Sequence, residues 1–271
     1  MDVAHILILV AAGAVTGFLA GFFGVGGGII LVPILLYFFT VSLSISSVVA
    51  THLTFGTSLL VVVFASLTSA IQHSNNGHVV WKAVMTMGLA SVVGAFSGSV
   101  FAASLSGKTL QQIFATVVAI AAIRLLFESS ASSRERPVNL SPFGLAVIGV
   151  VVGLVSSLAG VGGGVFSIPM MYYFMSFPLK KALGTSSATI VITALAAMIG
   201  YVMNGVGDPL LRPYAQFTVG YVDYLHAIPI IIATIPLAKL GATVAHKTHV
   251  DRLRILYAIF LLAIAVKMFF F

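Results

Sequence analysis

Apolar positions run almost unbroken through residues 1–40, and again through 48–70, 83–105, 143–168 and 253–271. Each run has enough apolar residues for the roughly 20 that a helix needs to cross a hydrocarbon core. The period-two alternation of a membrane barrel, in segments of about ten residues, is absent from them. The pattern predicts an all-α polytopic membrane protein in which nearly the whole chain is embedded.

Glycine-rich breaks interrupt two of these runs: "GFFGVGGGIILVP" at 21–33 and "SLAGVGGGVFSIP" at 157–169. They belong to an internal repeat. At an offset of 136, Gly13, Gly17, the run 24–28, Pro33 and Tyr37 match Gly149, Gly153, the run 160–164, Pro169 and Tyr173. At 128, Gly56-Thr57-Ser58 matches Gly184-Thr185-Ser186, and at 143, Gly98, Leu110 and Ala115 match Gly241, Leu253 and Ala258. The chain therefore reads as two membrane repeats, 1–127 and 141–271, joined by a polar cytoplasmic linker at 128–140. Each repeat predicts a first helix (about 4–23 in the first), the glycine run, a short Pro-containing helix (29–40) and three longer segments (47–71, 81–104, 109–127). Beyond Gly205 the second repeat carries 15 extra residues, "VGDPLLRPYAQFTVG".

If the first two helices of a repeat act together, either both crossing or both forming a re-entrant hairpin, each repeat crosses an odd number of times and the two are inverted. Basic residues test this, because they concentrate in cytoplasmic loops. Under odd parity Lys82, Arg124, Arg134, Arg136, Lys180, Lys181, Lys239, Lys247, Arg252 and Arg254 share one side, against Lys108, Arg212 and Lys267. Under the alternative the split is 6 to 7 and orientation is unspecified. The expectation is inverted-topology repeats in a cell (inner) membrane, multi-pass, with both termini outside.

Composition agrees: 60% hydrophobic residues and 7% charged, where a soluble domain carries about 25% charged. The net charge of +7 then reports basic loops, and nucleic-acid binding is excluded. With no cysteine, disulfides and thiol chemistry are excluded. The six carboxylates, Asp2, Glu128, Glu135, Asp208, Asp223 and Asp251, all fall at termini, loops or span ends. The interior is accordingly expected to hold no negative charge, which suits an anion better than a cation.

Four glycines in five residues followed by Pro33 should unwind a helix, since each glycine costs about 1 kcal/mol relative to alanine. Close helix packing alone would need only small residues, not a break. A helix restarting after the break presents free N–H groups and the positive end of its dipole, an anion site. Gly26, Gly27 and Gly28 in one half, with Gly162, Gly163 and Gly164 in the other, are the candidate backbone donors. Thr57, Ser58, Thr185 and Ser186 are candidate hydroxyl donors, although membrane hydroxyls often bond only to the carbonyl one turn earlier. His52, on the same helix as Thr57, is either proton-sensitive or structural. A nucleotide phosphate loop is excluded because no Lys-Ser/Thr follows the glycines. The sequence calls for no cofactor and no metal.

The paired "GVGGGIILVP" and "GVGGGVFSIP", the "GTSLLVVV" and "GTSSATIV" segments, and "NNGHVVW" resemble the TauE/SafE sulfite exporter family, also called the 4-toluene sulfonate uptake permease family. The resemblance covers essentially the whole chain. It implies multi-pass transport of sulfur-containing anions such as sulfite, sulfonates or sulfoacetate. The reading is thus a secondary transporter for a small anionic substrate, working in a lipid bilayer by alternating access, with a homo-oligomer left open. Its alternatives are a passive anion channel and an intramembrane enzyme using Ser58 or Ser186 with a histidine.

Overall fold

The structure, a computed structural model, describes residues 3–127 and 138–245 and isolated helical positions within 259–269. Most of the linker, with Glu128, Arg134, Glu135 and Arg136, lies outside the described residues, as do Asp2, Lys247, Asp251, Arg252, Arg254 and Lys267. The chain is all-α. Helices α1 (Val3–Phe23), α2 (Gly28–Tyr37), α3 (Ser47–Asn75), α4 (Trp81–Ser104) and α5 (Gly107–Phe127) form the first half. The second half has α6 (Pro142–Ala159), α7 (Gly164–Met175), α8 (Leu179–Gly205) and α9 (Tyr224–Ala245). A wider π-helical turn, Phe38–Ser42, extends α2. The insertion after Gly205 folds as a 3-10 turn (Pro209–Tyr214) and β1 (Thr218–Val219), which pairs in a two-rung hairpin with β2 (Val222–Asp223) just beyond it.

Among the described residues, six helices, α1, α3, α4, α6, α8 and α9, are long and apolar enough to span a bilayer. Helices α3 and α8 are the most enclosed, with 78% and 67% of their apolar windows buried, so they form the centre. They run antiparallel. Ser69, late in α3, bonds Ser187, early in α8, whereas Gly56 lies against Tyr221, whose N–H donates to Tyr201 late in α8. Around them the same packing occurs twice with the halves exchanged. Helix α1 lies parallel to α9, where Gly13, Gly17 and Gly21 meet the backbone of Ile230, Thr234 and Ala238. Helix α6 lies parallel to α4, where Gly149 and Gly153 meet Met87 and Ser91. A side chain at any of these glycines would strike backbone, so the small residues set how closely the helices approach.

The first two helices of each half form a hairpin that returns to its starting side. The ring of His5, at the start of α1, lies 5.3 Å from that of Phe38, at the end of α2. In the second half the N–H of Asn139, just before α6, donates to the carbonyl of Met175 at the end of α7 (2.9 Å). Both hairpin tips lie against Val62 and Ile190, the midpoints of α3 and α8. The first two helices of each half therefore turn back on each other rather than running on as two successive crossings.

Candidate functional site

The tips are residues 24–27 and 160–163, and they share one backbone conformation. φ is +63°, +83° and +79° at Gly24, Gly26 and Gly27, and +64°, +87° and +84° at Gly160, Gly162 and Gly163. Left-handed backbone is open to glycine at little cost. It lets each chain reverse in four residues and start a new helix at Gly28 or Gly164. No side chain caps α2 or α7. Among the described residues, the backbone N–H groups of 25–29 and 162–165 donate to nothing. Nine adjacent donors at two helix N-termini are left for an acceptor, in the field that favours negative charge.

The two tips cross closely. A methyl group built on Gly28 would lie 2.6 Å from the carbonyl oxygen of Gly160 and 2.7 Å from Cα of Val161. One on Gly164 would lie 2.5 Å from Cα of Val25. Each tip is also held by the opposite half. Ser58 Oγ donates to the carbonyl of Gly160 (2.9 Å), and its repeat mate Ser186 donates to the carbonyl of Gly24 (3.2 Å). Ser186 further bonds Ser167 on α7 (2.7 Å). Thr57 Oγ1 accepts from the N–H of Asp223 (2.9 Å) and Thr185 Oγ1 from that of Val80 (3.0 Å). The doubled Gly-Thr-Ser motif is therefore a set of cross-half clamps, and all four hydroxyls have protein partners.

Other hydroxyls do not. Thr16, Ser66 and Ser156 are buried with no hydrogen-bond partner, and all three line the tips. Thr16 lies under Gly27, Ser156 beside Gly163, and Ser66 Oγ sits 3.2 Å from where a Cβ on Gly26 would be. Sequence reading passes them over, because none has a hydroxyl at its repeat-equivalent position. Their signal is geometric: an unpaired buried hydroxyl costs about 1–3 kcal/mol.

The family model described as sulfite exporter TauE/SafE matches residues 9–268. The chain belongs to that family. Within it, the chain is 33% identical over 266 residues to a protein of Haemophilus influenzae, covering 97% of this chain and 98% of the relative. It is 30% identical over 251 residues to one of Methanocaldococcus jannaschii (92% and 90%) and 25% identical over 285 residues to one of Bacillus subtilis (97% of each). All three are named "probable membrane transporter protein", and none as an enzyme. No solved structure matches the chain. It is a multi-pass membrane protein of a transporter family.

In this TauE/SafE protein, His52 stands apart from the tips. Its Nδ1 lies 2.9 Å from the Val48 carbonyl, its Nε2 3.3 Å from that of Ala102, and its ring packs on Tyr221. The expectation of an interior without carboxylate is corrected by Asp223, which is fully buried. Its Oδ2 lies 2.5 Å from His226 Nδ1, and its Oδ1 accepts the His226 N–H at the start of α9. The insertion after Gly205 folds back onto α3 and carries this carboxylate inward. Asp208 remains at the surface side of the insertion, accepting from the Tyr221 hydroxyl. At the other end of α3, Lys180 and Lys181 face His78. Burial pushes the His78 imidazole below its ordinary range, and the two ammonium groups add to the shift.

Proposed function

We propose that the protein is a secondary transporter that moves a small sulfur-containing oxyanion, of the sulfite, sulfonate or sulfoacetate type, by alternating access between the two hairpin tips. The observation that carries this reading is the group of unbonded N–H donors on 25–29 and 162–165, joined by the unpaired hydroxyls of Thr16, Ser66 and Ser156. Tetrahedral and pyramidal oxyanions accept several hydrogen bonds at once, and neutral donors bind them without a fixed countercharge that would retain them. The anion gains further from the positive ends of the α2 and α7 dipoles. Irregular backbone at this depth is tolerated where it lines a cavity or is enclosed by protein. The antiparallel α3 and α8, and the twice-used packing of α1 with α9 and α6 with α4, support inverted repeats. With an odd number of crossings in each half and the basic loops inside, both termini are outside the cytoplasm on this reading. Tags at both ends should be reached by impermeant reagents on intact cells, and a protected C-terminus would overturn this topology.

The decisive experiment is uptake of labelled sulfite, sulfate and 4-toluenesulfonate into proteoliposomes. Accumulation beyond the electrochemical limit excludes a passive channel, and no flux of any of the three sinks the reading. The unpaired hydroxyls give a sharper outcome. Ser66→Ala and Ser156→Ala remove buried groups that lack partners, so both should hold or raise thermal stability. Each should nevertheless raise the KM for the anion about tenfold, the loss of about 1.4 kcal/mol of binding. An unchanged KM in both variants would remove these hydroxyls from the site.

A further inference from the structure

Just beyond the insertion that follows Gly205, the symmetry of the two halves breaks at one place. Thr185 of the second half accepts the N–H of Val80, and the repeat-equivalent bond in the first half joins Thr57 to Asp223. Where the first half has Val80 and Ala83, the second has Asp223 and His226. One of two matched clamps is thus ionisable and the other is inert.

We propose that Asp223 and His226 form a proton-binding site that couples anion transport to the proton gradient; this inference rests on the transport reading above. The pair is buried, with Asp223 fully enclosed and the His226 side chain 5% exposed. Three phenyl rings surround the imidazole: Phe38 at 5.3 Å, Phe217 at 5.5 Å and Phe39 at 6.3 Å between centroids. Oδ2 and Nδ1, 2.5 Å apart, can share one proton inside this ring of phenyls. The closed arrangement keeps that proton from water, and opening this end of α3 lets it leave. Phe38 and Phe39 belong to the π-helical turn that ends the first hairpin, so movement of that hairpin changes the enclosure of the imidazole. Asp223 meets the other hairpin through Thr57, whose neighbour Ser58 holds Gly160.

The titratable groups nearest this pair are few. From α1, His5 packs its ring edge-on against Phe38. From α3 comes His52, one turn before Thr57, bonded to Val48 and Ala102. From the insertion come Asp208, bonded by Tyr221 of the hairpin, and Tyr214 against Phe217, while Tyr224, next in the chain, donates to the Gln216 carbonyl. None contacts the Asp223 carboxylate.

The test uses proteoliposomes of the full chain with labelled 4-toluenesulfonate, an anion whose charge is constant across the pH range, at clamped membrane potential, with a trapped pH dye. One proton per anion sustains about tenfold accumulation for each unit of pH gradient. Wild type should approach that ratio and acidify or alkalinise the lumen as the anion moves. Asp223→Asn, which still caps α9, and His226→Gln should lose both the accumulation and the dye signal while keeping anion–anion exchange within about twofold of wild type. His52→Gln should keep all three. Coupling that survives in Asp223→Asn and His226→Gln, or exchange that falls together with coupling in both, overturns the proposal. So does wild-type transport without proton movement, which leaves the transport reading standing. Wild type with neither uptake nor exchange fails the transport reading itself.

Discussion

Valine in place of Gly27 or Gly163 is expected to abolish anion uptake in protein that still reaches the membrane. Both positions hold left-handed backbone, at φ +79° and +84°. A residue with a Cβ pays about 1–2 kcal/mol there, and a β-branched one more. Space adds a second cost. A Cβ on Gly27 would lie 2.6 Å from Thr16 Cγ2 and 2.8 Å from the Thr16 carbonyl, and one on Gly163 would lie 2.5 Å from Val152 Cγ1. Overpacking of this kind costs about 1–3 kcal/mol. The tip must then move, and moving it displaces the N–H groups that precede α2 or α7. Gly77 separates conformation from site. Its φ is +71°, yet nothing lies within 4 Å of its Cβ position, so Gly77→Val should lower stability by the left-handed cost alone and leave uptake near wild type. Uptake per folded molecule, with folding checked by size-exclusion chromatography, distinguishes the three variants. Unimpaired transport by both Gly27→Val and Gly163→Val would remove the tips from the site.

Much of this framework can be read from hydropathy and repetition. Helix α4 occupies the expected 81–104, because Asn76-Gly77 and Ser106-Gly107 bound its apolar run on both sides. Helix α3 extends to Asn75, past the expected 71. Its last turn is polar, and helical hydrogen bonding does not depend on hydropathy. The glycine runs mark the tips because a cluster of that density has no place in a continuous helix. Crossing and returning hairpins have the same parity, so charge placement is silent between them, and only contacts such as His5 with Phe38 separate the two.

The site was less legible, for reasons of sequence distance. Ser58 and Gly160 are 102 residues apart and Ser186 and Gly24 are 162 apart. The pairing of Gly-Thr-Ser motifs announces a shared role but not the partner. Thr16, Ser66 and Ser156 look like ordinary membrane hydroxyls until their lack of partners is seen. Asp223 looked like a residue at a span end because hydropathy cannot distinguish a buried capping carboxylate from a solvated one. The repeat resumes after the insertion and pairs Asp223 with Val80, an apolar mate that gives no hint of a buried acid.

Alanine at Ser58 and at Ser186 is expected to shift the protein's conformational balance in opposite directions. Each serine holds the first glycine carbonyl of the opposite tip, and both bonds are present together in the structure. Removing one leaves a buried carbonyl without its donor, at about 1–3 kcal/mol. That cost falls only on states in which the bond is made. Alternating access that releases one tip at a time would break one clamp in each open state. Ser58→Ala then favours the state that frees the 160–163 tip, and Ser186→Ala the state that frees the 24–27 tip. Each shift is about 5- to 150-fold in population, a factor of ten for every 1.4 kcal/mol. Because Ser186 also bonds Ser167, its replacement should have the larger effect. The chain has no cysteine, so single reporters are clean. Thr54 and Ala182 are repeat mates, both fully buried, near opposite ends of the central helices. Maleimide labelling of Thr54→Cys and Ala182→Cys should change in opposite senses in the Ser58→Ala and Ser186→Ala backgrounds, and the double alanine variant should restore the wild-type ratio at lower thermal stability. Labelling that moves the same way in both backgrounds would make the clamps static braces rather than alternating gates.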